Sequence, residues 1–327
     1  MNKSREYLLR RHNNDYLKLC IINEANETSD QSTIINVNIV IPLFNGGDIF
    51  DITLEYTNFA IKKAKELIPM LHVSVTVVDD GSEKPYAFPS DKSHPDWNIV
   101  RLDKNRGRAF SRNTGLQYRT ASKYTIFMDA DIILYPNAIS DFIREMERFS
   151  TQNRSCITCG LFHFIYLNTL NKNKISFDIS NDFRLNCNYQ ENWIGCENDR
   201  EFIGAEFNII KDTAGWSKWP ASGKFGPWTL PNMVLGGLFC VNTHHALSVG
   251  GFDDRFSAYG FEETTLATKL IIMKGSFVVP ILGGFSKHIE EENGESKRNE
   301  KDRLFRRAYD RYFHEFMKEP AIDIHEE

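Results

Sequence analysis

No apolar run in the chain approaches the roughly 18 consecutive residues that a membrane-spanning helix requires. The opening stretch, MNKSREYLLRRHNNDYLKLC, is charged and lacks the apolar centre of a secretory leader. The expectation is a cytoplasmic protein, soluble or peripherally attached at the inner face of the membrane. A basic excess is missing too. The formal net charge is −5, which argues against a general nucleic-acid binder. There is no internal repeat. What is present is ample for a core: 327 residues, 41% hydrophobic and 25% charged, enough for one large domain or two fused lobes.

Six cysteines occur: Cys20, Cys156, Cys159, Cys187, Cys196 and Cys240. Cys156 and Cys159 form a C-x-x-C that Cys187 and Cys196 could extend to four thiolates. The second spacing does not suit a zinc ribbon, and the first pair lies in an apolar, strand-like run, so reduced structural thiols are expected.

Residues 1–34 are polar and Asn-rich, with a helix expected near 5–22. From residue 35 the texture alternates. INVNIVIPLFN reads as a strand ending in a loop. In DITLEYTNFAIKKAKELIPM the residues Ile52, Tyr56, Phe59, Ala60 and Leu67 recur at helical spacing. HVSVTVVDDGS alternates Val73, Val75 and Val77 and stops at a turn. NIVRLDKNRG follows as a strand, 108–120 as a helix, YTIFMDADIIL as a strand, and 137–149 as a helix after an Asn cap. Such alternation predicts an α/β fold with a mostly parallel sheet and flanking helices, whose ligands bind at the carboxyl ends of the strands. After residue 150 the pattern weakens. Residues 168–200, with Trp193, are irregular. GWSKWPASGKFGPWTLPNMVLGGLFC is dense in Gly, Pro and Trp, as a structured but mobile loop would be.

Three acidic features bear on chemistry. Asp129 and Asp131 in FMDADIIL project the same way from a strand end, where like charges repel unless a cation offsets them; turn-forming aspartates are the plain alternative. Asp79 and Asp80 in VVDDGS can accept hydrogen bonds from a base or ribose, or simply form a turn. Glu262 and Glu263 open a helix, where acids also favour the dipole. DKNRGRAFSRNTGL adds Arg106, Arg108 and Arg112 among glycines.

In this order, VIPLFN, VVDDGS, NRGRAFSRNTGL, FMDADIIL, GGLFCVNTHHALSVGGFDDRF and YGFEETTLATKL resemble family 2 glycosyltransferases of the GT-A fold, over roughly residues 35–290. The stretch from GGLF to GFEET looks most like the C-terminal segments of chondroitin-polymerase and β-1,4-galactosyltransferase types. The resemblance implies a UDP-sugar donor and Mn²⁺ or Mg²⁺ on its diphosphate, with Asp129 and Asp131 as the D-x-D and His288 of GGFSKHIEEE as the third ligand. Pro42, Phe44 and Asn45 would lie against the uracil, with Asp80 accepting from its imide and Asp79 beside it. Arg112 and Asn113 would face the donor's phosphates or sugar, although spacing alone does not choose among the three arginines. Ala130 would lie in the same site. Gly236 and Gly237 would admit the donor sugar, and Tyr259 would stack on a sugar face. Glu263 inherits the role of the base in an inverting transfer and Glu262 would orient the sugars. The family pair is usually Glu-Asp, so the extra methylene shifts that carboxylate by about 1 Å. Trp216, Trp219 and Trp228 resemble a lid or, equally, the packing of a small subdomain.

The resemblance divides the chain into an extension (1–34), a nucleotide-sugar half (35–150), an acceptor and catalytic half of the same domain (151–294) and a tail (295–327). In the tail, Phe305, Tyr309, Tyr312 and Phe316 share one helix face among Arg303, Arg306, Arg307 and Arg311. That helix can pack on the domain, join two copies into a homo-oligomer or rest on an anionic membrane; packing is favoured. The leading expectation is transfer of a Gal, GalNAc, Glc or GlcNAc type sugar to a glycan or lipid-linked acceptor. A peptide acceptor is the alternative. A sugar nucleotidyltransferase would carry a basic Gly-rich loop that PLFNGGDIFD lacks, and a non-catalytic sugar binder would be expected to lose the acids that are present.

Overall fold

The computed structural model describes residues 3–9, 33–88, 96–170, 175–177, 231, 234, 236–290 and 295–321. Among these, a short helix α1 (Arg5–Leu9) precedes strand β1 (Ile35–Leu43), helix α2 (Gly47–Leu67), β2 (Leu71–Asp79) and β3 (Trp97–Arg101). Helix α3 (Arg108–Tyr118), β4 (Tyr124–Met128), β5 (Ile132–Ile133), α4 (Ala138–Thr151) and β6 (Cys156–Tyr166) follow. Then come β7 (Leu238–Asn242), α5 (Thr243–Ser248), α6 (Glu262–Lys274), β8 (Phe277–Glu290) and α7 (Glu295–His314).

The strands form one eight-stranded sheet, ordered β3-β2-β1-β4-β7-β6-β8-β5. β3, β2, β1 and β4 are mutually parallel, as are β6 and β8, while β7 and β5 pair antiparallel with their neighbours. The valines and isoleucines of β1 and β2 are buried almost without a break, as strands covered on both faces require. Asn38 is the polar exception in β1. Its amide donates to the Gly115 carbonyl at 3.2 Å and accepts from Thr76 Oγ1 at 2.9 Å, so burial leaves it satisfied. The chain leaves β1 toward β2 on one side and returns beside it as β4 on the other. This switch point opens a crevice at the carboxyl ends of β1 and β4.

Apolar clusters cover both faces. One unites β1, β2 and β4 with α2 and α4; the other unites β6 and β7 with α5, α6 and α7. Two local expectations need correction. The buried residues of α2 are Phe50, Ile52, Thr53, Leu54, Thr57, Ala60, Ile61 and Ala64, so Ile52 and Ala60 are covered as expected, whereas Phe59 and Leu67 are exposed. Phe59 and Leu67 fit helical spacing, but the sheet packs on Leu54, Ile61 and Ala64 instead. Asn137 does occupy the N-cap of α4, but its side chain makes no capping bond; Ser140 Oγ donates to its carbonyl instead. Cys156, Cys159 and Cys240 are buried thiols outside any disulfide among the described residues; the remaining cysteines lie outside the described residues, as do Trp193 and the three tryptophans of the expected lid. Of the helix expected near 5–22, the part beyond Leu9 also lies outside them.

The aromatic tail face packs on the domain. Tyr312 and Phe316 are fully buried, with Phe305 and Tyr309 packed against the same cluster. No helix among the described residues is long and apolar enough to cross a membrane.

Candidate active site

β4 ends at Met128, and the next residue begins the acidic site. The Asp129 amide donates to the Gly237 carbonyl at 2.9 Å, which fixes the strand end beside β7. Two residues on, β5 pairs with β8 so that Ile132 faces His288, and the Ile289 amide donates to the Asp131 carbonyl at 2.9 Å. Strand pairing across some 150 residues thus brings His288 to the D-x-D. Ligand atoms of Asp129, Asp131 and His288 lie within 4.8 Å of one another. His288 Nε2 is 3.5 Å from Asp131 Oδ1, and its ring is held between Phe162 and Phe164 at centroid distances of 5.4 and 5.2 Å.

The donor set suits a divalent cation. Asp131 Oδ1 and His288 Nδ1 are buried without a hydrogen-bond partner among the described residues. Unpartnered polar atoms of this kind cost free energy unless something satisfies them. Burial, aided by the neighbouring Asp129 charge, pushes the Asp131 carboxyl above its ordinary range despite His288. Asp129 behaves oppositely. Burial opposes its charge, but Arg112, Arg108 and His288 outweigh it and hold its carboxyl below the usual value. Two carboxylates and an imidazole offer hard oxygens and one borderline nitrogen, a set that Mn²⁺ accepts more readily than Mg²⁺.

Arg112 joins the two halves of the site. It is fully buried, donating to Asp129 Oδ1 at 2.7 Å, to the Gly236 carbonyl at 2.9 Å and to Glu262 Oε1 at 3.2 Å. Its guanidinium is thus engaged by Asp129, Gly236 and Glu262 of the chain itself. Asn113 is likewise engaged within the chain. Its amide donates to the Phe252 carbonyl and Asp254 Oδ1 and accepts from the Phe252 amide, tying α3 to the 252–254 turn.

Arg108, one turn nearer the helix start, is the arginine at the mouth. Its side chain is 46% exposed, 4.0 Å from Glu262 and over the Tyr259 ring at 5.6 Å. Burial works against its charge, but Asp129, Glu262 and Asp131 hold the guanidinium firmly protonated. Arg106 instead stacks on Phe110 at 3.7 Å. Positions 108 and 112 share a helix face. A helical projection of NRGRAFSRN therefore does not separate the outer arginine from the inner one; their depth in the fold does.

Glu262 and Glu263 form the first turn of α6. Glu262 is buried against Arg112, while Glu263 Oε1 accepts from the Gly236 amide at 3.2 Å and its Oε2 has no partner among the described residues. Burial and the adjacent Glu262 charge push the Glu263 carboxyl up to about 8. A Cβ at Gly236 would lie 2.9 Å from the Glu263 carboxyl carbon, so glycine is what lets the two approach; at Gly237 it would meet Phe162. Ahead of the pair stands Phe261, at φ 64°. That conformation costs a bulky residue about 1–2 kcal/mol.

The loops expected at the base are tied together. Asn45 donates its amide to Ser82 Oγ and accepts from the Glu83 amide. Asp79 is fully buried and accepts from the Ser82 and Tyr86 amides and from Arg101; these bonds overcome burial and hold its carboxyl low. Asp80 accepts from the Arg106 and Gly107 amides at 2.7 and 2.9 Å, yet burial prevails and raises it. Pro42 and Ala130 are partly buried, whereas Phe44 is 50% exposed.

A mixed sheet with an acidic triad at its switch point, an arginine at the mouth and an acid pair opposite defines a nucleotide-sugar-type α/β fold of the GT-A class. The family description Glycosyl transferase family 2 matches residues 38–209, more than half of the chain. The protein belongs to glycosyl transferase family 2. Among solved structures it is similar to GalNAc-T7 with UDP, GalNAc and Mn²⁺ (TM-score 0.51, 14% identity), over 86% of this chain and 50% of that one. It is also similar to TarS 1-349 from S. aureus (0.46, 10%; 85% and 72%). The mannosyltransferase PcManGT from Pyrobaculum calidifontis, with GDP-Man and Mn²⁺, is a third (0.45, 15%; 89% and 64%). The chain spans half the length of the GalNAc-T7 chain, and at these identities the likeness is one of fold. No curated protein matches the sequence.

Proposed function

We propose that the protein is an inverting, metal-dependent glycosyltransferase that moves a Gal, GalNAc, Glc or GlcNAc type sugar from a UDP-sugar to a glycan hydroxyl. The observation that carries this reading is the triad of Asp129, Asp131 and His288, in which Asp131 Oδ1 and His288 Nδ1 are buried without a hydrogen-bond partner among the described residues. The GalNAc-T7 structure, with UDP, GalNAc and Mn²⁺ bound, supports the donor and the ion by likeness of fold. We read the segment from Gly236 to Thr264 as the chondroitin-polymerase or galactosyltransferase type. In this reading residues 35–150 serve the donor and 151–294 the acceptor.

Asp129, Asp131 and His288 would hold Mn²⁺ or Mg²⁺, which supplies positive charge against a departing diphosphate. Arg108 offers its planar fork to phosphate oxygens, replacing Arg112 in that role. Arg112 acts indirectly by fixing Asp129 and Glu262 relative to each other. Half-exposed Phe44 gives the uracil an apolar face between Pro42 and Asn45, and Asp80 keeps lone pairs for its imide. Tyr259 stacks on a sugar. Glu263 accepts the proton of the acceptor hydroxyl as that oxygen bonds to the anomeric carbon. The carbon–oxygen bond to the diphosphate breaks on the opposite side, and its electron pair leaves with UDP. A carboxyl near 8 is well matched to this exchange at neutral pH. Glu262, engaged by Arg112, orients rather than reacts.

The test is UDP release from a panel of UDP-sugars with Mn²⁺, comparing the protein with Asp131→Ala. Slow release from one sugar, lost on chelation and reduced at least a hundredfold in the variant, is expected. Release indifferent to both metal and substitution refutes the proposal.

A further inference from the structure

Helix α7 lies outside the matched family region, yet it reaches the residue immediately before the acid pair. Among the described residues, three that are not glycine have positive φ: Asn45, Asn153 and Phe261. Asparagine tolerates that region, but phenylalanine does not do so unaided. Phe261 is 6% exposed, and its surroundings explain how it stays there. Its ring meets Tyr312 at 5.0 Å, Phe305 at 5.3 Å, Tyr309 at 6.0 Å and Phe313 at 6.1 Å between centroids. All four partners project from α7. Gly260, at φ 92°, lies so close under Phe305 that a Cβ there would come within 3.0 Å of that ring. Tyr312 shares a 2.6 Å hydrogen bond with Thr268 Oγ1, about two turns further along α6.

The backbone angles of Phe261 set the direction in which α6 begins. Its carbonyl accepts the first helical bond, from the Thr265 amide at 2.9 Å, so a change at 261 swings Glu262 and Glu263 together. An uncaged residue before a helix would settle in the extended region usual for that position. Strain held by surrounding structure beside reacting groups is a recurrent form of preorganisation.

We propose that the aromatic cage of α7 is a positioning device: it holds Phe261 in the left-handed region and so aims Glu262 at Arg112 and Glu263 at Gly236. The catalytic consequence rests on the reading of Glu263 as the base, while the cage itself does not. Phe305, Tyr309, Tyr312 and Phe313 are positioning residues, none of them within the acidic site.

The experiment uses the full chain and compares Phe305→Ala and Phe305→Leu with the unchanged protein. Two quantities are read: amide hydrogen exchange along Glu262–Leu266, and kcat and KM for UDP release from the responsive UDP-sugar. Phe305→Ala is expected to speed exchange at 262–266 at least tenfold with α3 and β4 unchanged. It should lower kcat about tenfold while donor KM stays within twofold, and Phe305→Leu should recover most of both. Unchanged exchange at 262–266 overturns the proposal, as does a uniform rise that includes α3 and β4 with kcat and KM falling and rising together. If no UDP-sugar is turned over by the unchanged protein, the functional reading fails, and the exchange comparison still decides the cage. Should Phe305→Ala fail to fold, Tyr309→Ala, which removes a partly buried ring of the cage, carries the same two readouts and the same expected changes.

Discussion

Replacing Glu263 by Gln isolates the proton from the shape. Glutamine keeps the oxygen that accepts from the Gly236 amide and loses only the ability to ionise. The carboxyl rises from an ordinary 4.5 to about 8, first through burial and then through the Glu262 charge. The sign follows from linkage. Below pH 4.5 the residue is neutral in both folded and unfolded chains, and nothing is lost. Between 4.5 and 8 the unfolded chain ionises freely while the folded one does not, so stability falls as pH rises and levels off above 8. At about 1.36 kcal/mol per pH unit, the cost at pH 7 is about 3 kcal/mol. Gln escapes it. Thermal unfolding of Glu263→Gln should therefore match the parent near pH 4.5 and exceed it by about 5 °C or more at pH 8. The same variant should bind UDP and Mn²⁺ normally but transfer sugar at least a hundredfold more slowly. In the parent, kcat/KM should climb with pH toward 8, since the base must be unprotonated. Parallel melting curves at both pH values would refute the electrostatic argument, and retained turnover would refute the assignment of the base.

Two further substitutions separate roles that the sequence does not. Arg112→Met leaves Asp129 and Glu262 without their buried partner and should cost about 3–5 kcal/mol in denaturant unfolding. Arg108→Ala, at a half-exposed position, should leave the melting temperature within about 2 °C while raising donor KM about tenfold; equal destabilisation by the two would contradict the division. Gly236→Ala drives a methyl group against the Glu263 carboxyl. It should lower kcat by about a hundredfold with little change in melting temperature, since a displacement of about 1 Å is sufficient for such a loss.

The motifs legible in the chain were those that depend on near neighbours. A strand's period of two puts Asp129 and Asp131 on one side. Valine alternation that stops at VVDDGS marks a strand end. Acids after YGF mark a helix start, and the order of these pieces carries the family. In α2 the helical spacing of Ile52, Phe59, Ala60 and Leu67 does not say which are covered; tertiary packing buries Ile52 and Ala60 and leaves Phe59 and Leu67 exposed. The arginines were indistinguishable because their difference is depth: Arg112 is buried against Asp129 and Glu262, the latter 150 positions away, while Arg108 stays at the mouth.

Alternation and spacing indicated the class of fold and the strand ends that bear the acids, and the quoted motifs carried the resemblance to the family, because each is written in residues a few positions apart. Which side chains are already saturated, which carboxyl is forced to keep its proton, and which distant helix braces the acid pair were decided only when the chain closed. Hydrogen-bond partners and desolvation depend on what packs from far along the sequence, and no local pattern encodes them.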